Sequence, residues 1–358
     1  MINVTKTYLP DKDKYKKYID QIYESGWITN YGPMVQKLEK KLAAYLGVKN
    51  LILVSNGTVA LEIAYRTLEL KDDVVTTPFS FVATTSSIIT NGMNPIFADI
   101  NPKSLNIDPK NIQTKITNNT TGIVPVHVFG NACEIDKIDI IAKENNLKVI
   151  YDAAHAFNVN YKKQSILNYG DISTLSFHAT KIFHSIEGGA LIINDAKLVD
   201  KARYLINFGI KNKEEIPELG TNAKMNEFEA AMGLCILEEI EELNKKREVV
   251  YKLYKNELEN YVNFPEQNKY STQNYSYFPI ILENEEVLKK IEKDLSNEKI
   301  FARRYFYPSL DTLKYINPPQ YNKISRNIAS RILCLPMHSL LKASEVKKIC
   351  LIIKKSLC

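Results

Sequence analysis

Seven short apolar runs dominate the first two thirds of this 358-residue chain, and segments with helical periodicity separate them. The runs are rich in β-branched residues and apolar almost throughout, a pattern typical of strands that are buried on both faces. They occupy residues 51–54, 74–77, 96–98, 123–128, 149–151, 172–177 and 190–193. Helical periodicity is found at 35–46, 58–70 and 135–145. This alternation predicts an α/β fold in which a mainly parallel sheet is sandwiched between helices.

The last third of the chain has a different pattern. A long helical pattern over residues 222–247 ends in a highly charged stretch, and a polar segment follows it. Beyond that segment, the sequence predicts a strand at 277–282 and helices at 285–295 and 343–355. A chain of this length can form two domains. We therefore expect a large domain at residues 1–245 and a smaller C-terminal α/β domain at 246–358.

Charge and cysteine content argue against several classes of protein. The net charge is +6, but lysines and acidic residues are interleaved, and no basic stripe with aromatic residues suggests nucleic-acid binding. The five cysteines are dispersed and form no CxxC pair, so we expect free thiols and no metal site. No apolar run reaches the roughly 18 residues of a membrane span, and the N-terminus lacks the apolar core of a signal peptide. We expect a cytoplasmic protein that binds neither membranes nor nucleic acids.

Small and polar residues follow the first two predicted strands. Gly57 and Thr58 lie at the start of a predicted helix, where backbone N–H groups and the helix dipole can hold a phosphate group. By itself, such a turn is more often a simple helix cap. Phe81 follows the second strand and could stack on a flat ring, although a core position is the more common role for a phenylalanine.

Asp152 comes directly after another buried strand, and His155 follows it closely. An aspartate at this position emerges at the carboxyl edge of the sheet, where ligands bind in open α/β folds. It could pair with a protonated ring nitrogen, and His155 could reach the same ring. A capping aspartate and a core histidine are an equally good interpretation of these two residues alone.

Lys181 lies just beyond the next strand, with Ser176 before it and Gly188-Gly189 behind it. Most lysines are exposed and protonated, but partial burial lowers the pKa of the amine and allows it to form a Schiff base. Two consecutive strands and their connection would bring Lys181 close to Asp152. Together, the four elements supply a phosphate site, a stacking aromatic, a carboxylate and a nucleophilic lysine, which is what pyridoxal phosphate requires. In that role, Lys181 would also move a proton between the substrate carbon and a cofactor carbon.

The ordered motifs of this chain resemble the DegT/DnrJ/EryC1/StrS sugar aminotransferases, which have the fold of aspartate aminotransferase, a fold type I pyridoxal phosphate enzyme. The resemblance covers nearly the whole chain. It includes Ser25-Gly26-Trp27-Ile28-Thr29, Ser55-Asn56-Gly57-Thr58, Asp152-Ala153-Ala154-His155, Ser176–Lys181, Gly220-Thr221-Asn222 and Leu335-Pro336-Met337-His338.

The resemblance implies a role for each matching residue. Those that would bind the phosphate are Gly57, Thr58 and Ser176. The cofactor ring would be stacked by Phe81, bound at its nitrogen by Asp152, approached at its hydroxyl by His155 and joined covalently to Lys181. In a homodimer with shared active sites, Asn222 would reach the cofactor phosphate of the partner subunit. Candidates for the substrate pocket are Trp27, Thr29 and Tyr305.

Two positions depart from the family pattern. Asn158 stands where members often have glycine, and asparagine tolerates left-handed geometry better than most residues. Lys224 stands where many members have arginine, and a lysine cannot make the planar two-point contact to a carboxylate or phosphate.

Phe177-His178 before the lysine motif resembles the family members that aminate C4 of a nucleotide-linked 4-keto-6-deoxy sugar. The implied reaction takes an amine from L-glutamate, leaves 2-oxoglutarate, stores the amine as pyridoxamine phosphate and passes it to the sugar, for surface polysaccharide or glycan biosynthesis. Alternatives are amination at C3, where Phe-Tyr-Pro-Gly-Lys is more common, and a smaller phosphorylated ketone as acceptor. A sugar dehydratase, which has histidine in place of Lys181, and a non-catalytic cofactor-binding regulator are less favoured.

Overall fold

The computed structural model describes residues 1–357 as helices on both sides of a central sheet. The α-helices of this range are α1 (Lys12–Ser25), α2 (Pro33–Leu46), α3 (Gly57–Thr67), α4 (Val82–Thr90), α5 (Pro109–Lys115), α6 (Ile135–Glu144), α7 (Val199–Leu205), α8 (Glu227–Leu258), α9 (Glu285–Asn297), α10 (Lys323–Arg331) and α11 (Ala343–Leu357). Its strands are β1 (Ile2–Asn3), β2 (Leu51–Val54), β3 (Asp73–Thr76), β4 (Asn94–Phe97), β5 (Thr120–Val124), β6 (Lys148–Asp152), β7 (Asn160–Tyr161), β8 (Gln164–Ser165), β9 (Ile172–Ser176), β10 (Gly189–Ile193), β11 (Phe278–Ile281), β12 (Ile300–Phe301) and β13 (Ile332–Leu335).

The central sheet has seven strands in the order β2-β10-β9-β6-β5-β3-β4. Strand β10 is antiparallel to both of its neighbours, and the remaining pairs are parallel. The other six strands therefore point the same way, and their carboxyl ends meet at one edge. All seven predicted runs form strands of this sheet, which confirms the predicted fold class.

Both faces of the sheet are buried, as the continuous apolar runs predict. Successive side chains of a strand point to opposite faces. Leu53, Val75 and Leu175 accordingly belong to one apolar cluster, whereas Ile52 and Val74 belong to the other. The helices that cover the two faces complete these clusters, and one wide sheet thus supports the whole large domain.

Helix α8 runs from the large domain into the C-terminal part of the chain. It has 32 residues and continues past residue 245, so the predicted domain boundary lies inside a helix, and the division of the chain at that residue stays a prediction. Its C-terminal half packs in a separate apolar cluster with β11, β13, α9 and α11. Over residues 1–357, no helix combines the length and the apolar character needed to cross a bilayer.

The strand β13 is absent from the sequence prediction. Its four residues pair antiparallel with β11, with Phe278 opposite Leu335. The run follows helix α10 without an intervening turn, so nothing in the local sequence separates it from the helix. Its apolar character and the following Pro336 were the available signals.

The N-terminal segment, residues 2–8, joins the C-terminal domain to the loop that carries Lys181. Strand β1 pairs in parallel with β12, and the carbonyl of Val4 accepts a hydrogen bond from the N–H of Met337 at 2.9 Å. Further along, the Thr7 hydroxyl donates to the carbonyl of Ala179 at 3.0 Å. This short segment therefore contacts both parts of the molecule.

Candidate active site

A cavity of about 280 Å³ lies at the edge where the parallel strands end. The loops after β2, β3, β6 and β9 supply most of its walls, and a segment of the C-terminal domain supplies the rest. Of the residues predicted from the sequence, eight line this cavity: Gly57, Thr58, Phe81, Asp152, His155, Ser176, Lys181 and Tyr305. The sheet gathers its strand ends at one edge and so brings together the seven residues from Gly57 to Lys181, and the C-terminal domain adds Tyr305.

Asp152 is buried and held by two hydrogen bonds. Its Oδ2 accepts from the hydroxyl of Thr84 at 2.8 Å, and its Oδ1 accepts from the N–H of Ala154 at 3.1 Å. Burial raises the pKa of Asp152, whereas these hydrogen bonds and the charge of Lys181 act in the opposite direction. The carboxylate therefore has a fixed orientation and a cation in its neighbourhood.

The amine of Lys181 faces the cavity rather than open solvent. A turn after β9 places the side chain there, and in this turn the backbone N–H of Lys181 donates to the carbonyl of His178 at 2.8 Å. Burial lowers the pKa of Lys181 from 10.5 to about 8, although the charge of Asp152 acts against this shift. Its Nζ also lies 3.4 Å from the hydroxyl of Tyr277. A substantial fraction of these amines is therefore neutral just above physiological pH, and a neutral amine is nucleophilic.

His155 lies in an aromatic stack and is neutral. Its ring is parallel to that of Phe306 at 5.6 Å and lies 4.7 Å from that of Tyr277. Its Nδ1 accepts a hydrogen bond from the N–H of Phe129 at 3.3 Å. Burial holds the pKa of His155 well below its usual value, so the ring carries its single proton on Nε2 and can donate it to an acceptor in the cavity.

The start of helix α3 forms a close contact with the end of β9. A Cβ atom on Gly57 would lie 2.8 Å from the Cβ of Ser176, a distance that real side chains do not tolerate. Asn56 caps the helix by accepting a hydrogen bond from the N–H of Val59 at 2.9 Å. The N–H groups at the start of a helix have no partner within it and favour an anion. Gly57, Thr58 and Ser176 thereby form a cradle of the kind that holds a phosphate group.

The donor set of the cavity fits pyridoxal phosphate. The cradle at the start of α3 suits its phosphate, Asp152 suits its ring nitrogen, and Lys181 suits its aldehyde. Phe81 lines the cavity and remains 52% exposed, whereas Phe79 is fully buried in the core. Of the two phenylalanines, Phe81 is therefore the one available to stack on a ring.

Three predicted residues lie outside this cavity. Trp27, which is 51% exposed, and Thr29 lie on the loop between α1 and α2. Asn222 is exposed and forms a β-bridge with Asn207. Within the part of the chain that the structure describes, none of the three lines the cavity. Their roles in substrate binding and in the site of a partner subunit stay predictions.

Buried acidic side chains hold the loop that carries Trp27. The carboxylate of Glu227 accepts hydrogen bonds from the N–H groups of Met34 and Val35 at 2.7 and 3.0 Å, at the start of α2. Farther along α2, the carboxylate of Glu39 accepts two hydrogen bonds, of 2.8 and 2.6 Å, from Arg203. The exposed loop therefore ends on a rigid base at the start of α2.

The two departures from the family pattern have defined surroundings. Asn158 adopts φ 56°, the left-handed geometry that asparagine tolerates, and its Nδ2 donates to the Tyr45 hydroxyl at 2.9 Å. The ammonium of Lys224 donates to Oδ1 of Asn207 at 2.9 Å and lies over the ring of Phe208. Lys224 is therefore next to Asn222 through their shared neighbour Asn207.

Sequence reasoning missed four residues that matter to the cavity. Thr84 orients Asp152, and Tyr277, Arg303 and Phe306 line the cavity from the C-terminal domain. Tyr277 is the first residue of a predicted strand, and Arg303 and Phe306 flank the predicted Tyr305. Those positions were the available signals, but only the packing of the C-terminal domain against the sheet edge shows that they line the same cavity as Lys181.

Comparison with known proteins agrees with this geometry. The profile of the DegT/DnrJ/EryC1/StrS aminotransferase family matches residues 10–354. A dTDP-4-amino-4,6-dideoxy-D-glucose transaminase of Shigella dysenteriae is 44% identical over 357 residues, covering 97% of each chain. A protein of the same name from Escherichia coli is 37% identical, covering 97% of this chain and 96% of that protein. The crystal structure of DesI in the presence of its TDP-sugar product is 28% identical and superposes with a TM-score of 0.95, covering 99% of this chain and 93% of DesI.

The family match spans almost the whole chain, and the cavity that the chain builds fits the cofactor of that family. Both the predicted family and the predicted cofactor are confirmed. The chain belongs to the DegT/DnrJ/EryC1/StrS aminotransferases and is a transaminase that depends on pyridoxal phosphate.

Proposed function

We propose that this protein transfers the amino group of L-glutamate to the C4 keto carbon of a nucleotide-linked 4-keto-6-deoxy sugar. The observation that carries the chemistry is the position of the Lys181 amine in the cavity, electrostatically coupled to the buried carboxylate of Asp152. The choice of a nucleotide sugar and of C4 rests on the relatives, since two of them, 44% and 37% identical, are named dTDP-4-amino-4,6-dideoxy-D-glucose transaminases. The His178 that precedes the lysine motif supports the same position.

The roles of the side chains follow from their surroundings. When bound, pyridoxal phosphate supplies a protonated ring that takes up the electron pair left when a proton leaves the carbon bearing the amine. The buried charge of Asp152 favours the protonated form of a ring nitrogen beside it. Thr84 and the N–H of Ala154 keep that carboxylate in one orientation. His155, neutral and fixed by the N–H of Phe129, presents its Nε2 proton to an oxygen acceptor.

Lys181 is the residue placed to hold and move the proton. With a pKa lowered to about 8, its amine can accept a proton and its ammonium can return one near neutral pH. The Tyr277 hydroxyl, 3.4 Å from Nζ, restrains the amine on the side of the C-terminal domain. Lys181 can therefore take a proton from the amine-bearing carbon of the donor and deliver a proton in the reverse step on the sugar.

We further propose that the enzyme is a homodimer in which each subunit completes the site of the other. The support is that Asn222, Trp27 and Thr29 are exposed side chains outside the cavity of their own chain. Large apolar side chains near these positions are also exposed, namely Ile28, Tyr31, Phe208 and Leu219. A second copy of the chain would cover these side chains and place Asn222 at the cofactor phosphate of its partner.

A product screen tests the proposed reaction. Purified holoenzyme is incubated with L-glutamate and a panel of dTDP-, UDP- and GDP-linked 4-keto and 3-keto sugars, and products are identified by mass and by NMR. We expect an amino sugar with nitrogen at C4, and no product with Lys181→Ala. If the enzyme aminates only C3, or only a small phosphorylated ketone, the proposed acceptor is wrong. Release of water without amine transfer would reject the proposed reaction.

A further inference from the structure

Arg303 differs from the other arginines of the chain in having no anionic or carbonyl partner within residues 1–357. It lines the cavity from the C-terminal domain and is exposed. The other arginine side chains each reach an acceptor within the protein: Arg66 with Asn91, Arg203 with Glu39, Arg247 with Met337, Arg304 with Glu285, Arg326 with Asp311 and Arg331 with Asn327. A guanidinium that has the phenol of Tyr305 beside it but no anionic partner, at the wall of a binding cavity, is therefore a specific feature of this site.

The side chain of Arg303 starts from a rigid backbone. Its N–H and carbonyl form a β-bridge with Cys334, with hydrogen bonds of 3.0 and 2.8 Å. Its guanidinium lies 4.7 Å from the centre of the Tyr305 ring. Its charge is also felt at Tyr277, the residue that contacts Lys181, where it opposes the effect of burial on the pKa of the phenol. Arg303 and the reactive amine of Lys181 thus line the same cavity, and Tyr277 lies near both.

The acidic groups of the cavity do not neutralise Arg303. Asp152 is held by Thr84 and Ala154, and Glu187 faces His178 at 3.5 Å. Lys181 adds a second cationic group to the same cavity. A planar guanidinium matches two oxygens of a carboxylate or phosphate, and such contacts strengthen where water is partly excluded. The cavity is therefore built to receive an anion beside the amine.

Both substrates of the proposed function carry anions, but at different distances from the reacting carbon. In an amino acid, the α-carboxylate is bonded directly to the carbon that bears the amine, so it must enter the cavity with that carbon. In a nucleotide sugar, the sugar ring separates the diphosphate from C4, so the diphosphate lies farther from Lys181. Resting on the proposed function, we propose that Arg303 binds the α-carboxylate of the amino donor.

The test isolates the donor half of the reaction. Holoenzyme is mixed with an amino donor in the absence of any sugar, and the change in cofactor absorbance is followed in a single turnover. In Arg303→Met, we expect the donor concentration for half-maximal rate to rise about 10- to 100-fold, the effect of losing a hydrogen-bonded charge pair. Arg303→Lys should be intermediate because it keeps the charge and loses the planar fork. Lys314→Met, an exposed charge on the same domain outside the cavity, is the matched control and should behave as wild type.

A second measurement removes the anion from the ligand instead of the cation from the protein. 4-Aminobutyrate is glutamate without its α-carboxylate, so the wild-type enzyme should strongly prefer glutamate. In Arg303→Met, the ratio of the two half-maximal donor concentrations should fall by the same factor by which the value for glutamate rises. Binding of α-methyl-L-glutamate, which has no proton to lose, reports affinity without turnover. Thermal unfolding and the cofactor spectrum establish that the variants are folded and loaded.

The outcomes separate this inference from the proposed function. Wild type is first screened with several amino acids, and Arg303 is tested with whichever donor it accepts, since all of them carry an α-carboxylate. If the proposed donor or the proposed sugar is wrong, the experiments with the wild-type enzyme show this without any variant. An unchanged donor half-reaction in Arg303→Met overturns the inference. If only the sugar half-reaction is impaired, the guanidinium serves the diphosphate and the carboxylate assignment is rejected.

Discussion

At the scale of single residues, the chemistry depends on how Lys181 and Asp152 influence each other. Burial lowers the pKa of the amine to about 8 and raises that of the carboxyl, while the attraction between the two charges acts against both shifts. The hydrogen bonds from Thr84 and Ala154 favour the ionised carboxylate. The pair therefore offers a carboxylate for a ring nitrogen and an amine that changes protonation state near neutral pH.

The rate at which the cofactor-free protein captures pyridoxal phosphate should rise through pH 8. As the pH increases past the pKa of Lys181, the ammonium loses its proton, and only the neutral amine attacks an aldehyde. Half-maximal rate is therefore expected near pH 8 instead of near 10.5, the ordinary value. Stopped-flow absorbance measures the rate, and reduction with borohydride followed by peptide mass spectrometry locates the cofactor on Lys181.

Two variants check this pH dependence. Asp152→Asn removes the charge that helps to retain the proton, so the midpoint should move to lower pH. Lys181→Ala should capture no cofactor covalently. A rate that stays low up to pH 9, or a cofactor attached to a different lysine, would show that the buried amine is not the one that reacts.

At the scale of secondary-structure elements, the phosphate cradle depends on the close approach of helix α3 to strand β9. Gly57→Ala should push the start of the helix away from Ser176, because the new Cβ would lie 2.8 Å from the Cβ of that serine. We expect a loss of about 1–3 kcal/mol in the free energy of unfolding, typical of overpacking. Cofactor affinity should fall as well, and equilibrium titration of the apo-protein measures it.

A double-mutant cycle with Ser176→Gly identifies the cause. Ser176→Gly removes the side chain that the added methyl group at position 57 would meet, so the loss of stability in Gly57→Ala should be largely absent in that background. Urea unfolding of the four apo-proteins gives the coupling energy. Additive effects of the two substitutions would mean that Gly57 is required for a reason other than this contact.

At the scale of the whole molecule, the mixed dimer tests whether the sites are shared. Asn222→Ala and Lys181→Ala each inactivate a shared site, but a mixed dimer contains one site with both residues intact. After exchange of equal amounts of the two variants, we expect about a quarter of the wild-type activity per site, because half of the dimers are mixed. Each variant incubated alone is the control. Activity that stays at the mean of the two parents after confirmed subunit exchange argues for independent sites.

Much of this molecule could be predicted from its sequence. The seven strands of the sheet followed from their continuous apolar runs because burial on both faces leaves little room for polar residues. Asp152 and Lys181 were predicted to be neighbours because β6 and β9, which precede them, are consecutive long strands, and the structure pairs them side by side. These are local patterns combined with one rule of topology.

The features that could not be predicted from the sequence depend on tertiary structure. In the sequence, nothing distinguishes Thr84 from other helical residues. Its hydrogen bond to Asp152 forms only because α4 packs beside the end of β6. Arg303 and Tyr277 belong to a domain whose position against the sheet no local pattern encodes. The short strand β13 follows a helix with no turn between them, so its boundary is set by pairing with β11 and not by its own sequence.

The N-terminal segment has a consequence for how the protein is made. Its partner strand β12 and the N–H of Met337 lie about 300 residues farther along the chain, so these contacts are among the most non-local in the fold. During synthesis, the segment precedes the C-terminal domain and has no partner there until that domain has followed it. Until then, the segment that carries Thr7, the donor to the Ala179 carbonyl in the lysine loop, is not held by the C-terminal domain. The active site is complete only after the C-terminal domain has been made, because Tyr277 and Arg303 of its wall belong to that domain.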